Sequence, residues 1–186
     1  MNNFFWDFEY KWNFPKIDTL FPNRYFSLRN RTVSNDVLDD EFLHLLDNAG
    51  LYVHETKAVY TPANTNIKSI KYGQITNDTN LQPSSRIDIV VQGADTSNLI
   101  WWNSNEENFL EELDANGGKI LKTKNQNNFT KKLSHSFSSA LINNGLWTSI
   151  ETTTEDRIWL RVYFRQKKNK ELVSFFDAKS LLQRVL

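Results

Sequence analysis

Cysteine is absent from the chain. That removes disulfide staples, thiolate metal sites and thiol nucleophiles from consideration, and it accords with a cytoplasmic protein or one assembled into a particle. Histidine is nearly as scarce: only His44, His54 and His135 occur, and no two of them stand at metal-ligand spacing. Neither sign of charge prevails, because 22 Lys and Arg balance 22 Asp and Glu. No whole-surface field therefore draws in nucleic acid or an anionic membrane, and neither is expected as a partner. No apolar run approaches the roughly 18 residues of a transmembrane helix. The acidic N-terminus lacks the uninterrupted apolar region of a signal peptide, so secretion by that route is not expected. The glycine motifs that cradle phosphates or dinucleotides are missing, as is the GxSxG elbow of a serine hydrolase.

What the chain has instead is aromatic rings. Its 186 residues suit one domain with a core large enough to need no covalent staple. The stretch NFFWDFEYKWNF sets Phe4, Trp6, Phe8, Tyr10, Trp12 and Phe14 on alternate positions, with Phe5 and then charged or amide residues between them. A period of two with aromatic residues is the mark of a strand on a half-buried face. Two readings follow. The rings pack on the chain's own sheet, or they dock on a protein partner or a second copy. Trp6, Phe8, Tyr10 and Trp12 are the interface candidates of the second reading. Trp101 and Trp102 extend the logic, since neighbours on a strand face opposite ways: one ring enters the core, and Trp102 is left as a contact candidate.

Beyond Pro15 and Pro22, RYFSLRNRTV reads as a strand, and residues 36–48 read as a helix with Val37, Leu38, Phe42, Leu45 and Leu46 at three- and four-residue spacing. Ser34 or Asn35 is placed to cap that helix, and Gly50 to end it. Short strand patterns follow in LYVHETKAVY, IKSIKYGQI, RIDIVVQ, NLIWWN, KILKTK, KKLSHSFSSALI, LWTSIET and RIWLRVYFR, with a short helix expected in SNEENFLEELDAN and another in ELVSFFDAKSLLQRVL. In the last, Leu172, Phe175, Phe176, Lys179 and Leu182 fall near one face. The pattern predicts a mainly β fold with flanking helices (α+β), a sandwich or barrel.

From Ser34 to Arg165 the order of features resembles a small Fe(II)/2-oxoglutarate-dependent oxygenase of the prolyl- and aspartyl-hydroxylase type. The resemblance rests on the helix EFLHLLDNAGL, the aromatic-x-Pro of Tyr60-Thr61-Pro62, the strand and turn SRIDIVVQGADTSNLIWWN, and the closing pair LINNGLWTSIETTTEDRIWLRVYF. It implies a double-stranded β-helix, or jelly-roll, over residues 34–186 with a C-terminal helix, preceded by an aromatic extension at 1–33. It implies Fe(II) and 2-oxoglutarate as cofactors only if the ligands are present. The family's proximal His-x-Asp aligns with Thr76, Asn77 and Asp78, and its distal histidine with Thr148. A threonine hydroxyl is a poor donor to Fe(II) beside an imidazole. Arg157 stands at the spacing of the family's carboxylate-binding arginine, with Trp159 where a serine is common. Arg157, Arg161 and Arg165 share a strand face, which reads either as an anion site or as a solvated or acid-paired stripe.

Three functions follow. The first is a non-catalytic binding or assembly protein with no catalytic residue, no metal and no cofactor. The second is an active hydroxylase with a non-standard metal site that recruits His54 or His135. The third is a structural subunit of a larger particle such as a virion.

Overall fold

The computed structural model describes residues 3–13, 20–21, 29–64, 71–75, 85–93, 98–104, 109–113, 119–123, 129–150 and 154–186. Among them run twelve strands: β1 Phe5–Asp7, β2 Arg29–Val33, β3 Leu51–Thr61, β4 Lys71–Ile75, β5 Ser85–Gln92, β6 Leu99–Ser104, β7 Phe109–Leu113, β8 Lys119–Thr123, β9 Phe129–His135, β10 Ser139–Asn143, β11 Trp147–Ile150 and β12 Arg157–Gln166. Two α-helices accompany them, α1 at Asp40–Asn48 and α2 at Phe175–Leu182, with a 3-10 turn at Asn35–Val37 before the first. The strands form two six-stranded sheets, β1-β10-β5-β12-β3-β2 and β7-β8-β4-β11-β6-β9, and every pairing is antiparallel. The fold is thus mainly β with two helices, as the alternating patterns predict.

The first sheet is covered on both faces. Along β12, Leu160, Val162 and Phe164 join Phe42, Leu46, Phe175 and Leu182 of the helices in one core. Trp159 points the other way, into a second core with Trp101 and Leu99 of the opposing sheet. Strict alternation thus serves two cores at once, because successive side chains leave a strand on opposite faces. Burying each of these large side chains contributes about 1.5–3 kcal/mol.

The aromatic N-terminus belongs to the chain's own cores. Within the described residues 3–13, only Phe5–Asp7 is a strand, paired with β10. Phe5, the ring that breaks the even-number pattern, enters the inter-sheet core, while Phe8 enters the helix-side core. Tyr10 donates to Asp39 Oδ1 at 2.9 Å, and Trp12 meets Phe42 edge-on at 4.5 Å. Asp39 also accepts from Phe42 N, so it caps α1. The expected cap Ser34 instead precedes the 3-10 turn and makes no side-chain cap bond. Burial, then the hydrogen bond and charge of Asp39, pushes the Tyr10 phenol above its ordinary range. Residues 1–33 therefore supply strands to both edges of the first sheet.

Two expected elements differ. The helix expected in SNEENFLEELDAN is a strand at Phe109–Leu113, in register with β8 from Phe109↔Thr123 to Leu113↔Lys119. Cross-strand pairing outweighs the helical preference of Glu and Leu there, a preference worth only a few tenths of a kcal/mol per residue. On α2 the buried stripe is Phe175, Ala178 and Leu182, with Phe176 left 53% exposed. The helical period runs from Phe175 by three and four residues and skips position 176.

Phe8→Ala is expected to lower the unfolding free energy by about 3–5 kcal/mol in urea denaturation. Phe176→Ala should change it by less than about 0.5 kcal/mol. A Phe8→Ala variant as stable as the parent would show that the N-terminal rings do not belong to the chain's own core.

Candidate functional site

The inner face of β12 carries Arg157, Trp159, Arg161, Tyr163 and Arg165. Register fixes their neighbours. Arg157 lies opposite Thr61, Trp159 opposite Val59 and Val90, Arg161 opposite Lys57 and Asp88, and Tyr163 opposite Glu55 and Arg86. The stripe seen in the sequence therefore turns inward.

Arg157 is 0% exposed, and among the described residues its Nε, Nη1 and Nη2 have no hydrogen-bond partner. Its guanidinium lies over the Trp159 ring, 3.6 Å from the centroid. Thr61 Oγ1, Trp159 Nε1 and Trp101 Nε1 are also buried without a partner. The carboxylate next in sequence does not help, since Asp156 accepts from Tyr60 Oη at 2.8 Å and from Ala63 N at 2.9 Å. An unpaired buried donor costs about 1–3 kcal/mol, and a buried charge costs more. Stacking on indole returns about 2 kcal/mol or more where water is excluded, which leaves the charge undercompensated. Burial, then Arg161, pushes the Arg157 guanidinium down to about 9, and Asp88 opposes the shift. A guanidinium keeps its proton in proteins, so such a shift expresses the cost of holding that charge in a dry site. All the unpartnered groups named here can donate a hydrogen bond.

Gly93 brings the end of β5 against this arginine. Its φ is +77°, and a Cβ there would meet Asp156 O at 3.0 Å and Arg157 Cα at 3.5 Å. Both the left-handed conformation and the close approach call for glycine.

Of the aligned metal positions, Thr148 lies on β11 directly opposite Trp101, so its side chain shares the inner face. Thr76 and Asp78 lie outside the described residues. Thr148 supplies a neutral hydroxyl where Fe(II) chemistry wants an imidazole nitrogen, and that position does not fit the metal. Among the described residues, no group of three or more His, Asp or Glu is arranged to hold a metal ion. The histidines are dispersed. His44 is exposed on α1, and His54 is the extra residue of a bulge in β3. Burial, then the charge of Arg165, pushes His54 below its ordinary value. His135 pairs with Asp7 Oδ2 at 2.6 Å and stacks on Phe5, with ring centroids 4.1 Å apart.

The interface candidates make contacts within the chain. Trp6 stands 5.7 Å from Phe8, Phe8 is buried, and Tyr10 and Trp12 hold α1. Trp102 is half-buried and donates from Nε1 to Ser149 Oγ at 2.8 Å, on the face away from Trp101. Thr61 was visible in the sequence only as the middle residue of Tyr60-Thr61-Pro62. Its place opposite Arg157 depends on a register that pairs residues almost a hundred positions apart. No helix among the described residues is long and apolar enough to cross a membrane.

Gly93→Ala is expected to cost about 1–3 kcal/mol of stability through backbone strain, measured by urea denaturation. An unchanged midpoint would mean that β5 does not approach Arg157 as described. Compared with known proteins, the chain matches no family model and no curated protein.

Proposed function

We propose that the chain is a non-catalytic binding protein built on a double-stranded β-helix of 2-oxoglutarate oxygenase type, and that it holds a small anion at Arg157. Strand order supports the fold. A long hairpin of eight strands pairs the first with the eighth, the second with the seventh, the third with the sixth and the fourth with the fifth. Taking β3, β4, β5, β6, β9, β10, β11 and β12 as those eight, all four pairings are present: β3·β12, β4·β11, β5·β10 and β6·β9. Rolling up such a hairpin adds eighth to third and seventh to fourth, here β12·β5 and β11·β6. On this reading β1 and β2 are edge additions, and β7 and β8 extend the other sheet beyond β4.

The same numbering puts Thr148 on the seventh strand and Arg157 at the start of the eighth, where the oxygenase resemblance expects the distal ligand and the carboxylate-binding arginine. One of these two positions has lost its donor chemistry, and the other keeps it. Iron needs several good ligands to stay bound. An anion needs a desolvated, well-placed guanidinium. The observation that carries the reading is the Arg157 side chain, fully buried with three unpartnered nitrogens.

Two titrations test it. In an anaerobic Fe(II) titration, the protein should take up no stoichiometric iron, with or without 2-oxoglutarate. At constant ionic strength, a small carboxylate such as succinate should raise the melting temperature of the parent but not of Arg157→Met. That variant should itself be about 1–3 kcal/mol more stable than the parent in carboxylate-free buffer, because an uncompensated buried charge is gone. Tight one-to-one iron binding would overturn the non-catalytic reading in favour of a hydroxylase with an unorthodox site.

A further inference from the structure

The row of the inner face next to Trp159 holds a second imbalance of charge, formed by different residues. Asp88 on β5, Arg161 on β12 and Lys57 on β3 stand side by side, and Arg86, Tyr163 and Glu55 form the row behind them. Three cations share two carboxylates. Asp88 is fully committed to Arg86, whose Nε reaches Oδ1 at 2.7 Å and whose Nη2 reaches Oδ2 at 3.0 Å. The remaining reach of Arg86 goes from Nη1 to Asn144 Oδ1. Glu55 divides itself between Lys57 Nζ at 3.4 Å and the hydroxyl of Thr32 at 2.8 Å. Arg161 Nε stands 3.7 Å from Asp88 Oδ1, too long for a hydrogen bond, and among the described residues this buried nitrogen has no partner.

Like charges directly opposite each other on a sheet destabilise it unless something lies between them, and Arg161 and Lys57 are such a pair. Access separates Arg161 from Arg157. The Arg161 side chain is 19% exposed, whereas Arg157 is fully buried. The Trp159 ring neighbours both, 5.2 Å from the Arg161 guanidinium and 3.6 Å from that of Arg157.

We propose that Arg161 and Lys57 form a second anion station, independent of Arg157, for a compact oxyanion of the phosphate type. A guanidinium fork offers two parallel donors to such a group, and the facing ammonium adds a point charge. A doubly charged tetrahedral ion answers two cations where a single carboxylate answers one. Asp88 and Glu55, already engaged, hold Arg86 and Lys57 in position and leave the surplus at Arg161.

The test is equilibrium dialysis of the full chain against labelled inorganic phosphate at fixed ionic strength, with melting curves on the same samples. Parent protein should bind phosphate saturably. Arg161→Gln should weaken that binding at least tenfold and abolish the phosphate-dependent rise in melting temperature, while melting no lower than the parent in phosphate-free buffer. Arg161→Lys should retain part of the binding, and Arg157→Met all of it. The proposal is overturned if the parent shows no saturable binding, or if Arg161→Gln binds as the parent does. Binding lost only in Arg157→Met would also overturn it, by placing phosphate at the deeper arginine and leaving the reading of Arg157 intact. Should Arg161→Gln fail to fold, Lys57→Gln takes its place, with weakened binding expected and unchanged binding fatal to the idea.

Discussion

The structure depends on β12 being buried on both faces. One face of this strand joins the sheet to the helices through Leu160, Val162 and Phe164, and the other looks into the space between the sheets. A strand enclosed on both sides ordinarily reads as unbroken hydrophobic sequence. This one alternates instead, RIWLRVYFRQ, with guanidinium groups on the inner face. Apolar burial on the helix side, at about 1.5–3 kcal/mol per large side chain, fixes the strand on which Arg157 is held away from water. The desolvation of that one guanidinium is a consequence of packing elsewhere, and it makes the inner face chemically pointed.

Within that space, charge is compensated unevenly. Arg86 and Asp88 form a bidentate pair with a third partner in Asn144. Such a pair is near neutral for stability, because attraction and desolvation nearly cancel. Among the described residues, Arg157 has the Trp159 indole beside it and no acceptor, and Arg161 Nε has only a distant share of Asp88. Among the described residues, the inner face therefore offers donors in excess of acceptors, the feature on which the anion-binding proposal rests. The N-terminal rings act in the same economy of water exclusion. Phe5 stacks against Trp101 with centroids 5.1 Å apart and helps close the inter-sheet space.

Much of this was legible in the sequence. Period-two patterns located β3, β5, β6, β8, β11 and β12, and the apolar spacing of 36–48 located α1. The even-numbered rings of the first dozen residues misled in detail, because β1 ends at Asp7 and the later rings follow the surface of α1, not a pleat. Phe109–Leu113 misled because its partner β8, and not its own composition, decides its conformation. The inward turn of Arg157 was not readable from alternation alone: period two says that Arg157, Arg161 and Arg165 share a face, but not which face is dry. That answer needs the second sheet, and with it Trp101 and Trp159. Thr61 and Asp88 were hidden for the same reason, since their relation to β12 exists only in register across distant strands. That position 148 carries a threonine hydroxyl and no imidazole, by contrast, is a property of residue identity and was plain from the start.

The account stands on Arg157 being a charged, water-excluded guanidinium that takes its counter-ion from outside the chain. The most direct measurement is the arginine 1Hε–15Nε correlation spectrum, with the signal assigned by its loss in Arg157→Met. The account predicts an Arg157 Hε that exchanges slowly with water and shifts in a saturable way as a small carboxylate is added. An Hε that exchanges as fast as those of surface arginines and ignores the anion would contradict it.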